Sequence, residues 1–231
     1  MKVALVNGQN HKGSSYHIGR MLAEKLCGTD AISEIFLPKD MPNFCLGCAK
    51  CIMEDEKRCP HYSCMEPITN IIDSADVLIF TTPVYVYHAT GSMKALLDHY
   101  AYRWMVHRPE EKMFSKQAVC ISTAAGAGMK SACKDIGDSL FYWGIAKLYR
   151  YGIAVASTTW EGVADKKKAR IEKKVATLAK AISKKDGKVK PSIKTKFLFG
   201  LMRHMNKNPW NAADGNYWQG KGWIGSKRPW K

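Results

Sequence analysis

KVALVNGQNHKGSSYHIGRMLAEKL, Lys2 to Leu26, is the stretch whose reading decides the fold. Val3 to Val6 form an apolar run of the length of a buried strand. Asn7 to Ser15 then crowds two glycines, two asparagines, a histidine, a lysine and two serines into one turn. Ile18, Met21, Leu22 and Leu26 recur at helical spacing, which predicts a helix beginning at Ser14 or Ser15. A strand, a polar turn and a helix N-terminus make an anion site, because the first-turn N–H groups point outward and the helix dipole favours negative charge there. The hydroxyls of Ser14, Ser15 and Tyr16 add donors, with His11 and Lys12 nearby. Gly8 and Gly13 fit neither G-x-x-x-x-G-K-[ST] nor G-x-G-x-x-G. A hydroxyl-rich loop with no place for magnesium suits a terminal monophosphate such as that of FMN; the alternative is a strand-to-helix turn that holds no ligand.

Outward from this stretch, strands and helices alternate. Ile32–Leu37 reads as a strand near a sheet edge, Met65–Ile72 as a short helix and Asp76–Thr82 as the strongest buried strand. A helix opens at Gly91 and runs through Tyr100 toward Trp104; Ala118–Thr123 is a fourth strand, followed by a helix over Met129–Tyr142. Ile153–Ala156 reads as the fifth strand. Asp165–Ser183 is an amphipathic helix with Ile171, Val175, Leu178 and Ile182 on one face. This alternation predicts an α/β fold with right-handed crossovers and a doubly wound, five-stranded parallel sheet of order 2-1-3-4-5. In that order the loops Asn7–Tyr16, Thr82–Tyr87 and Thr123–Gly128 converge beyond the carboxyl ends of neighbouring strands, where such sheets bind ligands. The first is suited to a phosphate. The second offers a proline-fixed backbone and tyrosines to flank a planar ring, and the third brings small residues that let backbone approach it.

The densest chemistry lies in NFCLGCAKCIMEDEKRCPHYSC, residues 43–64. Cys45, Cys48 and Cys51 stand at C-x2-C-x2-C, with Cys59 eight positions after Cys51 and Cys64 as a spare. Three close thiols and a fourth further on suit one 4Fe–4S cluster. Zinc, with His61 as a partner, and free thiols without metal are the alternatives.

The net charge of +16 is unevenly spread. Residues 1–162 hold 17 Lys/Arg against 16 Asp/Glu, whereas 163–231 hold 19 against 4. The basic character therefore belongs to the C-terminal part, and the organisation expected is a domain over 1–186 with an extension over 187–231. That extension carries Phe197, Phe199, Trp210, Trp218, Trp223 and Trp230 among its lysines. Packing and oligomerisation are expected of it ahead of nucleic-acid binding, since no recognition motif accompanies the charge, and ahead of a membrane-surface role. No run of 18 apolar residues occurs, so no membrane span is expected, and the direct start on a strand predicts no signal peptide. Eight cysteines in that setting point to a reducing, cytoplasmic location.

Taken together, GQNHKGSS, CLGCAKC, ADVLIFTTPVYVYHATGSMKALLDH and STAAGAG resemble the flavodoxin-like NAD(P)H-dependent FMN oxidoreductases, the NADPH-dependent FMN reductases and iron–sulfur flavoproteins included, over about residues 1–182. The resemblance implies FMN as cofactor, with the phosphate on His11, Lys12, Ser14, Ser15 and Tyr16. The ring-contacting loops then fall on Pro83, Val84, Tyr85 and Val86, and on Thr123, Ala124, Ala125 and Gly126. It further implies an oxidoreductase that passes reducing equivalents from NAD(P)H to a small-molecule or protein acceptor, as a homodimer or homotetramer. An iron–sulfur electron carrier that uses no nicotinamide is the alternative, and a binding module acting through the basic tail a third. Flavin chemistry requires no nucleophile or general base from the chain. No catalytic side chain is therefore assigned, and His88 and His99 read as structural.

Overall fold

The computed structural model describes residues 1–231. Five strands, β1 (Val3–Asn7), β2 (Ile32–Phe36), β3 (Val77–Pro83), β4 (Gln117–Ala124) and β5 (Lys147–Ala154), form one parallel sheet in the order β2-β1-β3-β4-β5. Val3 pairs with Ile32 on one side and Val77 on the other; Val77 pairs with Gln117, and Gln117 with Lys147. Eight helices complete the chain: α1 (Ser14–Cys27), α2 (Lys50–Met53), α3 (Tyr62–Ser74), α4 (Gly91–His99), α5 (Met129–Tyr142), α6 (Asp165–Ser183), α7 (Ile193–Met205) and α8 (Ala212–Gly220).

Successive side chains of a strand point to opposite faces, and the central strands are apolar on both. Ala4, Val6, Leu78, Phe80, Ala118 and Cys120 pack on one face with Ile68, Leu96, Ile136 and Trp143, from α3, α4, α5 and the residue after it. Val3, Leu5, Val77, Ile79, Val119 and Ile121 pack on the other with α1 and α6, through Ile18, Leu22, Ile171, Val175 and Ile182. Buried strands of this kind read as continuous apolar runs, which is why β1, β3 and β4 lie where the sequence places them. β5 does not. The structure runs it from Lys147 to Ala154 rather than over Ile153–Ala156. As the outer partner of β4 it takes Lys147, Arg150 and other polar residues into its ladder, so its local sequence carries no apolar run to mark it. The helix from Gly91 ends at His99, short of Trp104, and a single turn over Ala101–Arg103 follows.

Residues 187–231 contribute α7 and α8. Phe199 and Met202 of α7 and Trp218 and Trp223, on and just after α8, form a third core with Met105 and Phe114, between α4 and β4. Aromatic rings bury about 150–250 Å² each, so this layer fixes the tail to the body. Hydrogen bonds stitch the same seam: Trp218 Nε1 donates to the His107 carbonyl (2.6 Å) and the Tyr217 hydroxyl to that of Pro109 (2.7 Å). The opposite side of α7 is bare. Ile193, Phe197, Leu201 and Met205, four residues apart, are 87, 74, 47 and 48% exposed.

Candidate functional site

The first loop leaves β1 with its backbone already tied to β3 and α4. Gly8 N–H donates to the Thr81 carbonyl (2.7 Å), and the Gly8 carbonyl accepts from the hydroxyls of Thr90 (2.5 Å) and Ser92 (2.8 Å). A β-carbon at Gly8 would lie 2.9 Å from the Thr81 carbonyl oxygen and from Thr90 Oγ1, so only glycine allows this closeness. Helix α1 begins at Ser14 after Gly13, and no side chain caps it. Ser14 and Ser15 are buried, and Ser14 Oγ has no hydrogen-bond partner. Buried hydroxyls are normally paired. An unpartnered one beside uncapped first-turn amides is a set of polar groups arranged for an anion. His11 and Lys12 are exposed on the rim. Tyr16 takes a different place: its hydroxyl donates to Glu34 on β2 (3.2 Å), and burial, reinforced by that carboxylate, raises its pKa. Its donor is therefore committed away from the loop.

The second and third loops meet each other. Pro83 pairs with Thr123, and Val84 N–H donates to the Thr123 carbonyl (2.8 Å). Tyr85 and His88 close a tight turn by exchanging backbone hydrogen bonds of 2.9 Å, with Val86 (φ 48°) and Tyr87 (φ 66°) at its tip in left-handed backbone. A β-branched residue there is strained by about 1–3 kcal/mol, and Val86 is 93% exposed, so nothing in this chain repays the strain by burying it. Gly128 (φ 93°) supports the turn from the third loop, where a β-carbon would lie 2.6 Å from Val84 Cγ1. From α5, Asp135 accepts from Ala89 N–H (3.0 Å) and contacts His88 Nδ1 (3.1 Å), fixing the far end of the turn. Tyr85 reaches back to the first loop through Gln9 Oε1 (3.4 Å). Thr123 is buried, Ala124 half-buried, and Ala125 and Gly126 are exposed. The three loops therefore form one edge, as neighbours in the sheet.

The cysteine segment runs from β2 to α3. Cys45 and Cys48 are exposed, Cys51 and Cys59 half-buried. Burial, then the charges of Cys59, Cys45 and Cys48, pushes the Cys51 thiol up to about 11. Burial also raises Cys59, offset in part by a hydrogen bond from the His61 backbone N–H and increased by Cys45 and Cys48. Cys45 and Cys48 thus lie near enough to Cys51 and Cys59 to raise both. Four thiols on one segment offer the soft donor set that an iron–sulfur centre takes. The structure also brings together a set that spacing alone does not show. The ligand atoms of Cys59, His61 and His99 lie within 4.8 Å of one another. His61 Nδ1 is 2.9 Å from His99 Nε2, and His99 Nδ1 is 2.7 Å from the Ala95 carbonyl, an outer contact of the kind that orients a ligand imidazole. His99 lies 38 residues from His61, across α3 and β3, so only the folded chain reveals the pairing.

Arg108 faces the same segment from the body. It donates to the carbonyls of Cys51 and Ile52 (3.0 Å for Ile52) and, in the other direction, to Asp214 of α8 (2.7 Å).

A family model described as NADPH-dependent FMN reductase matches residues 1–159. An iron-sulfur flavoprotein of Archaeoglobus fulgidus is 24% identical over 195 residues, covering 84% of this chain and 85% of its own. Among solved structures, an azoreductase from Bacillus anthracis superposes with a TM-score of 0.60 at 13% identity, over 78% of this chain and 98% of the other. An FMN-dependent NADH-azoreductase from Bacillus anthracis, solved in complex with FMN, gives 0.54 at 14% identity, over 78% and 100%. These structural likenesses establish a shared flavodoxin-like fold.

Proposed function

The chain belongs to the NADPH-dependent FMN reductase family, and from that membership we propose an FMN-dependent oxidoreductase that takes reducing equivalents from NAD(P)H and passes them to a small-molecule or protein acceptor. The observation that carries the reading is the unpartnered Ser14 Oγ beside the uncapped start of α1. Ser14, Ser15 and the first-turn N–H groups hold the phosphate, while Lys12 and His11 add positive charge or donors at the rim. Pro83–Val86 and Thr123–Gly126 frame the ring, and the Tyr16 hydroxyl, committed to Glu34, shapes the wall without donating. When bound, FMN supplies a ring that accepts a hydride and gives up electrons. The chain's own work is to orient that ring, shield one side of it and leave the other open.

Cys45, Cys48, Cys51 and Cys59 hold one 4Fe–4S cluster in this reading, supported by their spacing on one segment and by the nearness of Cys45, Cys48 and Cys59 to Cys51. A second reading, zinc on Cys59, His61 and His99, is favoured by their close approach. The exposed apolar stripe of α7 is the surface on which we place contact with a second copy of the chain.

One preparation tests these assignments: anaerobic purification, then flavin, iron, sulfide and zinc analysis of the same sample with a test of NAD(P)H oxidation. Stoichiometric FMN, about four iron and four sulfide per chain, and NAD(P)H-dependent turnover are expected. Zinc in place of iron selects the second metal site. Cofactor without nicotinamide oxidation selects an electron carrier. A chain that takes up no flavin overturns the proposal.

A further inference from the structure

We propose that the C-terminal segment is a positioning part of the cysteine centre: Asp214 holds Arg108 so that its guanidinium clamps the backbone of Cys51 and Ile52. The inference rests on reading the four cysteines as a metal centre, and it adds the segment that keeps one of them in place.

Asp214 is fully buried, and its carboxylate accepts from Arg108 Nη1 (2.7 Å) and Asn211 Nδ2 (2.6 Å) and contacts His107 Nδ1 (2.7 Å). A buried ion pair is weak evidence of stability, since an apolar replacement often serves as well or better; where charge persists in an interior, orientation is a reason to examine. Here the orientation has a definite object. The guanidinium is a planar fork: Nη1, which holds Asp214, also donates to the Ile52 carbonyl, and Nη2 donates to that of Cys51. Those carbonyls belong to α2, a short and partly exposed helix. It is four residues long, its N-cap Ala49 sits in left-handed backbone, no side chain caps it, and none of its residues is fully buried. Cys51 and Ile52, both half-buried, pack against the margin of the core. Arg108 itself is held at both ends, because its backbone N–H donates to the Tyr102 carbonyl (2.9 Å). The chain of contacts therefore runs from a buried carboxylate on α8, through one arginine, to the residue that carries the third thiol.

The test uses the full chain. Apo protein is given a short iodoacetamide pulse, and the alkylation rate of each cysteine is read by peptide mass. In Asp214→Asn the Cys51 rate should rise about fivefold or more through local opening of α2, while the already exposed Cys45 and Cys48 stay within twofold of wild type, a margin of roughly 0.4 kcal/mol. Arg108→Lys keeps a charge for Asp214 but cannot fork to two carbonyls, and should release Cys51 in the same selective way; it decides the matter if Asp214→Asn fails to fold. After anaerobic reconstitution, both variants should also shift the midpoint potential of the centre or lower its iron content. Equal acceleration at all four cysteines, or an unchanged Cys51 rate in the folded variants, overturns the latch. Should wild type take up no metal at all, the metal reading falls by itself, and Cys51 alkylation still decides whether the latch exists.

Discussion

Ser14 keeps its hydroxyl buried where nothing in the chain meets it, and that makes it a sharp probe. Ser14→Ala should leave the stability of ligand-free protein within about 1 kcal/mol of wild type, or raise it, because no hydrogen bond is lost. The same change should weaken FMN at least tenfold, at about 1.5–3 kcal/mol for a hydrogen bond to a charged group. Flavin titration of the apo protein decides it; an unchanged affinity moves the phosphate elsewhere. Lys116 offers a second probe. Its ammonium is buried against the Ile72 and Asp73 carbonyls (2.7 and 2.8 Å), capping the end of α3, and burial lowers its pKa to about 8. Between about pH 8 and its ordinary value near 10.5 the unfolded chain binds the proton that the folded chain has released. This residue's contribution to stability therefore rises with pH across that window. From pH 8 to 9.5 this residue's own gain is roughly 1–2 kcal/mol, while the thiols of Cys51, Cys120 and Cys133, whose pKa burial raises, act in the opposite direction over the same window. Denaturant unfolding of wild type and Lys116→Met at several pH values reads the difference between them: the stability of wild type relative to the variant should rise by roughly 1–2 kcal/mol from pH 8 to 9.5, and a constant difference overturns the assignment. Ser14 was legible from the sequence because a loop motif announces itself locally. Lys116, His99 and Asp214 were not, since their partners stand 38 to 107 residues away.

At the scale of elements, legibility followed burial. β1, β3 and β4 are flanked by strands on both sides and covered on both faces, so their sequences are apolar without interruption and could be placed. β5 has one strand neighbour and a half-exposed ladder, and its last residues alone looked like a strand. The three loops were predicted to converge, and their contacts show how. The second loop bridges the other two, through Gln9 on one side and Thr123 on the other. Gly128 is where this bridge is most exposed to a single change. Gly128→Ala places a methyl 2.6 Å from Val84 Cγ1 at φ 93°, and the combined clash and backbone strain should destabilise the protein by about 1–3 kcal/mol. Because the displaced residues are those proposed to frame the ring, flavin affinity should fall as well. Thermal unfolding with and without FMN measures both, and a variant that matches wild type in each separates the third loop from the site.

For the molecule as a whole, composition told that residues 187–231 are an addition and could not tell what they cover. The structure puts Phe199, Trp218 and Trp223 on Met105 and Phe114, which are buried in the layer they share. A chain ending at Lys185 should melt several degrees lower, with a loss of more than about 1 kcal/mol. Its light-scattering mass should fall by more than the missing residues account for, as the α7 stripe goes with them. An unchanged melting temperature and oligomer number would make the tail an ornament. The link between Arg108 and Asp214 spans 106 positions, and this bears on how the molecule is made. A ribosome adds about 5–20 residues per second, so the cysteine loop leaves it some ten seconds before α8 exists. Throughout that interval Arg108 has no Asp214 to hold it against the carbonyls of Cys51 and Ile52. If the proposed latch exists, the cysteine loop reaches its final shape only after α8 docks, and its Cys51 thiol should be more open to alkylation on a nascent chain that stops short of Asp214.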